Sequence, residues 1–178
     1  MKKTSLFFLG LGILILSLIN TNATAQSGTP KYKEVLGENP NADADVKAVT
    51  DYLNAVVAGD ISKVKNVLSP DFKGYGPGPL DSVDAAKEVA SWEQAYKDQQ
   101  NRKFNFVCQT FRVLQGDLKG TWVSVWGDYS FSMNGKTATF PVQLTAKVNK
   151  GKIEVIRTYY DRLYIMETMG MKLVQASN

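Results

Sequence analysis

Three polar residues near the end of an alternating segment, Arg157, Tyr159 and Asp161, are the best placed in this sequence to do chemistry. Side chains on a strand alternate between faces, so these three are expected to share one face with Ile153 and Val155. That face starts apolar and becomes polar, as a pocket wall does. At ~3.3 Å per residue, Arg157 and Asp161 would lie about 13 Å apart, too far for a salt bridge but suited to opposite ends of one ligand. Asp161 is the candidate general base. A carboxylate does that work near neutral pH only in a buried, apolar setting. Tyr159, Tyr75 or Arg157 would then stabilise developing negative charge. The plainer reading of Asp161 is a surface aspartate that holds the terminal segment through backbone N–H bonds. Trp92, Trp122 and Trp126, with Tyr75, Tyr129 and Tyr159, would line a site for a flat or apolar ligand, or else pack the core. Trp122 and Trp126 share a face of their strand.

Composition narrows the chemistry. The 178 residues contain no histidine and one cysteine. Ser-His-Asp and Cys-His catalysis are therefore excluded, as is an intrachain disulfide framework. No metal site or cofactor is implied, and Cys108 reads as a small buried hydrophobe. Lys+Arg total 21 and Asp+Glu 17; without Lys2 and Lys3, 19 basic residues face the 17 acidic ones. A chain so near neutrality gives little support to nucleic-acid binding. Its 44% hydrophobic content suits one packed domain.

Lys2 and Lys3 precede an apolar run, Leu6 to Ile19, and Ala23-Thr24-Ala25 follows. That is the layout of a secretory signal peptide over residues 1–25, with a mature start near Gln26. A helix over this run would span roughly 21 Å, short of a bilayer core of about 30 Å. The expected product is periplasmic or extracellular, without a membrane anchor, and no cysteine near the cleavage site offers a lipoprotein anchor. Residues 26–42 read as a flexible arm, and 43–178 as the domain.

The elements that must position the candidate residues follow. Val46, Val49, Leu53, Val56 and Val57 mark one helix face, opened by Asp43 or Asp45 and ended by Gly59. Asp60 caps a second helix with Ile61, Val64, Val67 and Leu68 inward, stopped by Pro70. Phe72 to Pro79 reads as a Gly- and Pro-rich loop, with Tyr75 at a cavity mouth. It lacks the Gly-Lys-Ser/Thr of a phosphate loop. Asp81 or Ser82 opens a third helix running to about Gln100. Long strands follow: Phe104–Val113, Thr121–Phe131, Phe140–Val148 and Ile153–Leu163. Asn134-Gly135 marks a type I′ hairpin, and Pro141 suggests a bulge or an edge. Tyr164–Met171 closes the chain as a short helix or flap. The expected fold is α+β, with three N-terminal helices packed on a curved antiparallel sheet that forms a cone with a cavity.

Taken in order, the helix pair around Gly59-Asp60, Gly151-Lys152-Ile153 entering the last strand, and Tyr159-Tyr160-Asp161 closing it resemble the NTF2-like superfamily, in particular its SnoaL-like branch. The resemblance spans roughly Val46 to Met171. It implies the cone fold and places Asp161 where the branch's cyclases carry a general base. Some of those pair the acid with a histidine, which is absent here. Trp126-Gly127-Asp128 stands where an epoxide hydrolase would carry Arg-x-Asp. The expected function is thus an exported domain holding a small, partly apolar ligand in the cone. An acid–base isomerase, cyclase or dehydratase using Asp161 is the alternative. A third reading is a homodimeric interaction module built on the sheet's convex face.

Overall fold

The structure is a computed structural model that describes residues 31–172 and Val174. The expected signal peptide and the start of the expected arm lie outside the described residues. A helical turn, α1 (Tyr32–Val35), and a two-residue strand, β1 (Leu36–Gly37), carry the chain onto the sheet edge. Next come α2 (Ala42–Ala58), α3 (Ile61–Val67), β2 (Leu68–Tyr75), β3 (Ser82–Asp84) and α4 (Ala85–Asp98). Strands β4 (Gln100–Val113), β5 (Gly120–Met133), β6 (Lys136–Asn149) and β7 (Lys152–Tyr160) follow, and α5 (Arg162–Thr168) ends the described fold.

The helix pair forms where its spacing places it. Val49, Tyr52, Leu53 and Val56 bury the inner face of α2. Gly59 takes the left-handed conformation, φ 79°, and its N–H closes the helix on the Ala55 carbonyl. Asp60 Oδ1 then accepts from the Lys63 N–H at 3.0 Å to start α3. Asp45 is no cap. It is buried and accepts from Asn39 Nδ2 at 2.8 Å, while the same amide donates to Thr110 Oγ1 at 2.7 Å. This contact pins the start of α2 to β4.

The loop expected after Pro70 is a strand. β2 runs parallel to β7, with Gly74 opposite Ile156 and Tyr75 opposite Arg157. A register irregularity between Leu68 and Lys73 accommodates Pro70, which has no N–H for the ladder. Helix α4 accordingly starts later than expected. Asp84, not Asp81 or Ser82, caps it by accepting from the Lys87 N–H at 2.9 Å. The sheet is therefore mixed rather than wholly antiparallel, curved and unclosed, in the order β1-β4-β5-β6-β7-β2-β3. Strands interrupt the helical half, and five helices occur among the described residues.

The β5–β6 hairpin turns at Asn134-Gly135, with φ 51° and 74°, as the type I′ signal requires. Pro141 sits inside β6 without a bulge, at a position that is an edge on one side, as one of the two expectations had it. β7 ends opposite Val142, so beyond it Pro141 has no ladder bond to break on that side. The main core joins α2, α3 and β2 to the inner faces of β5, β6 and β7 around Val49, Val64, Phe72, Val123 and Ile153. A second, aromatic cluster gathers at the other end of the sheet around Tyr129, Phe131 and Phe140.

Candidate functional site

One residue decides which side chains face the core side of the sheet. In β7, Ile153 pairs with Val148 and Val155 with Lys147, so Glu154 is an extra residue in the ladder. This bulge reverses the alternation beyond it. Ile153, Ile156, Thr158 and Tyr160 therefore lie opposite the inward Val148, Ala146, Leu144 and Val142. Val155, Arg157 and Tyr159 lie opposite the outward Lys147, Thr145 and Gln143. The pocket wall expected from Arg157, Tyr159 and Asp161 is thus corrected. Arg157 and Tyr159 are on the outside of the sheet, and Tyr160 faces in.

The other candidates divide in the same way. Trp126 is outward and exposed, and Tyr75 is outward with the Arg157 guanidinium 5.0 Å above its ring. Trp122 shares that face with Trp126, as expected from their even, four-residue spacing. It is nonetheless buried, and its indole N–H donates to the Leu118 carbonyl at 2.8 Å. Of the tryptophans only Trp92 lies inside, against the main core, and Tyr129 is buried on the inner face of β5. Asp161 is exposed and caps α5, with Oδ1 accepting from the Tyr164 N–H at 2.8 Å. That is the plainer role foreseen for it.

The inner wall at the second cluster comes from Phe104 on β4, Tyr129 and Phe131 on β5, Phe140 on β6 and Tyr160 on β7. Their rings meet edge-on or tilted. Tyr129 and Phe140 are 5.8 Å apart, and Phe140 and Tyr160 5.7 Å. Helix α5 covers this end with Ile165, and Met169 just beyond it packs there too, yet none of the helix's own residues is fully buried. The ion pair of Arg162 with Asp81, 2.6 Å, ties α5 to the Gly-Pro loop. A polar edge completes the wall. Tyr129 donates to Gln99 Oε1 at 3.1 Å. Arg102 donates to the Val57 carbonyl at the end of α2 and to the Gln99 carbonyl, 3.2 and 2.6 Å away. Tyr129 was visible in the sequence among the aromatics. Phe140 and Tyr160 were not singled out, because strand alternation without the bulge turns Tyr160 outward.

A second polar group is buried between helices. Tyr52 donates to Glu88 Oε1 at 2.5 Å, and the Trp92 indole N–H reaches the same oxygen at 2.9 Å. This cluster locks α4 onto α2. Burial, reinforced by the Glu88 charge, holds the Tyr52 phenol well above its ordinary pKa. Burial does the same to Tyr129. Both phenols therefore contribute stability that is intact below the unfolded pKa of about 10. That contribution is lost as pH rises toward the folded values, since only the unfolded chain then sheds the protons. The loss should approach ~1.4 kcal/mol per pH unit per tyrosine. In urea titrations at pH 9 to 11.5 the midpoint should fall steeply, and less steeply in Tyr129→Phe. A midpoint that does not move with pH would contradict this.

The outer groove of α2 and α3 is a further concavity, lined by Lys47, Asp51, Asp60 and Lys63. Its charges answer one another in the exposed ion pairs Lys47–Asp51 and Lys63–Asp60, so it offers no unmatched group.

Fold and sequence together define the class. Residues 46–150 match the model of the SnoaL-like domain, more than half of the chain, so the chain belongs to the SnoaL-like family of NTF2-like folds. Solved structures share that fold. An LEH-like epoxide hydrolase from M. tuberculosis is 19% identical, with a TM-score of 0.52 over 72% of this chain and 91% of its own. A candidate polyketide cyclase from Pseudomonas putida is also 19% identical, TM-score 0.53, over 70% and 96%. A Catenulispora acidiphila protein with a ketosteroid isomerase-like fold, solved in complex with trimethylamine, is 12% identical, TM-score 0.57, over 71% and 94%. No curated protein is similar enough in sequence to match.

Proposed function

We propose that this chain is an exported ligand-binding domain that holds a small, partly apolar, ring-bearing molecule at the α5 end of the cone. The observation that carries the reading is the aromatic cluster of Phe104, Tyr129, Phe131, Phe140 and Tyr160. It meets the main core through Phe104 and is covered by a seven-residue helix with no fully buried residue. Such a cover can move at little cost, because few apolar contacts hold it. Aromatic walls supply stacking area, and the Tyr129–Gln99–Arg102 edge supplies the few polar contacts that orient a ligand. The apolar run and cleavage site at the N-terminus support export.

One observation favours an enzyme as the second reading. Asp161 follows Tyr160 directly at the rim of this cluster, with one carboxylate oxygen fixed by the Tyr164 N–H. The epoxide hydrolase and the candidate cyclase among its structural neighbours are consistent with such chemistry on this fold. Asp161→Asn separates the two, because asparagine caps a helix as well as aspartate does but cannot act as a base. Native mass spectrometry of the protein from its own host would be compared for the original and the variant. A binder should retain the same molecule in both. An enzyme should accumulate a molecule of different mass in the variant. A protein that arrives empty and also fails to take up 2-naphthol would sink both readings.

A further inference from the structure

The methionines are not spread through the core. Of the five in the chain, Met1 lies in the expected signal peptide, and the other four, Met133, Met166, Met169 and Met171, gather at one place. Met133 ends β5 at the hairpin, where it pairs with Lys136. Met166 is in α5, Met169 is its C-cap, and Met171 follows. The end of α5 folds back on itself. Gly170 takes the left-handed conformation, φ 89°. Its N–H donates to the Glu167 carbonyl and the Met171 N–H to the Met166 carbonyl, each at 2.9 Å. This double closure sets the residue after the glycine beside the one five positions before it, so Met171 neighbours Met166. Met166 and Met169 are three residues apart on the last turn, with roughly 5–6 Å between their β-carbons. Met169 and Met133 both pack against the aromatic cluster. The hairpin abuts the same turn, because a β-carbon on Gly170 would meet Lys136 Nζ. None of the four methionines is fully buried, and Met171 is 51% exposed.

We propose that Met166, Met169 and Met171 form a binding site for Cu(I). Thioether sulfur is a soft, uncharged donor, and such donors select Cu(I) over the harder divalent ions. The unbranched methionine side chain has three rotatable bonds, so sulfurs from three neighbouring positions can converge on one ion. The charged groups at this end of α5 are Glu167, Lys172 and Lys136. Two cations against one carboxylate oppose a divalent ion, which needs several anionic oxygen ligands. Neutral sulfurs hold a monovalent ion without such ligands. Asp161 and Arg162 are engaged at the opposite end of the helix, about 10 Å away, one as its cap and the other with Asp81. Packing alone does not account for the cluster. Leucine would cover the aromatic rings as well, and a half-exposed thioether at Met171 covers little. The site is independent of whatever the cone holds.

The test is an NMR titration of the protein carrying isotope-labelled methionine methyl groups. Cu(I) is added without oxygen in the presence of ascorbate, and Zn(II) in a parallel titration. The methyl signals of Met166, Met169 and Met171 should shift together with Cu(I), saturate at one equivalent and ignore Zn(II). Met166→Leu and Met171→Leu should each weaken Cu(I) binding about tenfold or more, read in competition with a chromophoric Cu(I) chelator. Leucine nearly conserves the volume of methionine, so unchanged urea midpoints would show that both variants fold. Cys108 is the other soft ligand in the chain, and Cys108→Ser should leave the affinity as it was. No shift with Cu(I), or a shift of one methionine alone, would overturn the proposal. So would equal shifts with Zn(II), binding indifferent to both leucine variants, or binding lost in Cys108→Ser.

Discussion

Gly127→Val should abolish folding, and Gly127→Ala should come close to doing so. Gly127 lies in β5 opposite Phe106 on one side and Val142 on the other, on the sheet's inner face. A β-carbon there would meet the Asn105 carbonyl oxygen well inside van der Waals contact and lie 2.6 Å from Phe106 Cα. Both obstacles are backbone, so no rotamer change relieves the clash. β4 could retreat only by breaking its ladder with β5, which runs from Gln100–Ser132 to Val113–Gly120. That ladder supports the inner aromatic wall through Phe104 and Tyr129. Losses above ~4 kcal/mol come from forced rearrangements of this sort, and they rival the whole stability of a domain this size. The measurement is soluble yield and the cooperativity of thermal melting. Should Gly127→Ala melt within a degree or two of the original, the close approach of the strands has been misread.

Phe140→Ala should cost ~3–5 kcal/mol, the range for truncating a buried aromatic. Phe140 is 5% exposed and touches the rings of Tyr129, Phe131 and Tyr160 from three directions. These neighbours sit on the two strands that flank β6, Tyr129 and Phe131 on β5 and Tyr160 on β7, so they cannot close the gap by sliding together, and a cavity remains. An apolar cavity of that kind takes up benzene, so benzene should raise the melting temperature of the variant and not of the original. A loss below ~1 kcal/mol would mean that the cluster is loosely filled to begin with. In that case a ligand could enter without displacing α5.

How much of this was legible in the sequence depends on the range of the forces involved. The α2–α3 pair could be read because the apolar period, Gly59 and Asp60 are all local signals. The Asn134-Gly135 hairpin and the clean alternation of β6 are local too. β2 was not legible. Pro70, Gly74 and Gly76 read as breakers, and the partner that makes the segment a strand lies some eighty residues later in β7. Gly74 has a packing reason instead. A β-carbon there would lie 2.8 Å from Val83 and 3.4 Å from the Phe72 ring. The site was misread for the same reason. Glu154 looks like any strand residue, and only the pairing with β6 shows that it is an extra one. That single residue moved Arg157 and Tyr159 from the inside to the outside. The aromatic character of the domain was plain in the sequence, but the face each ring occupies was not.

The sheet order has a consequence for the timing of synthesis. β7 is the last strand made, yet it stands between β6 and β2. β2 has no other neighbour except the three-residue β3. The first half of the chain, with α2, α3 and α4 complete, therefore has nothing to dock its sheet edge against until Lys152–Tyr160 has left the ribosome. Contacts this distant in sequence form slowly, because the intervening chain must first be closed into a loop. The nascent chain should thus remain unfolded and protease-sensitive through almost its whole translation, and truncations ending anywhere before Tyr160 should yield no stable partial domain.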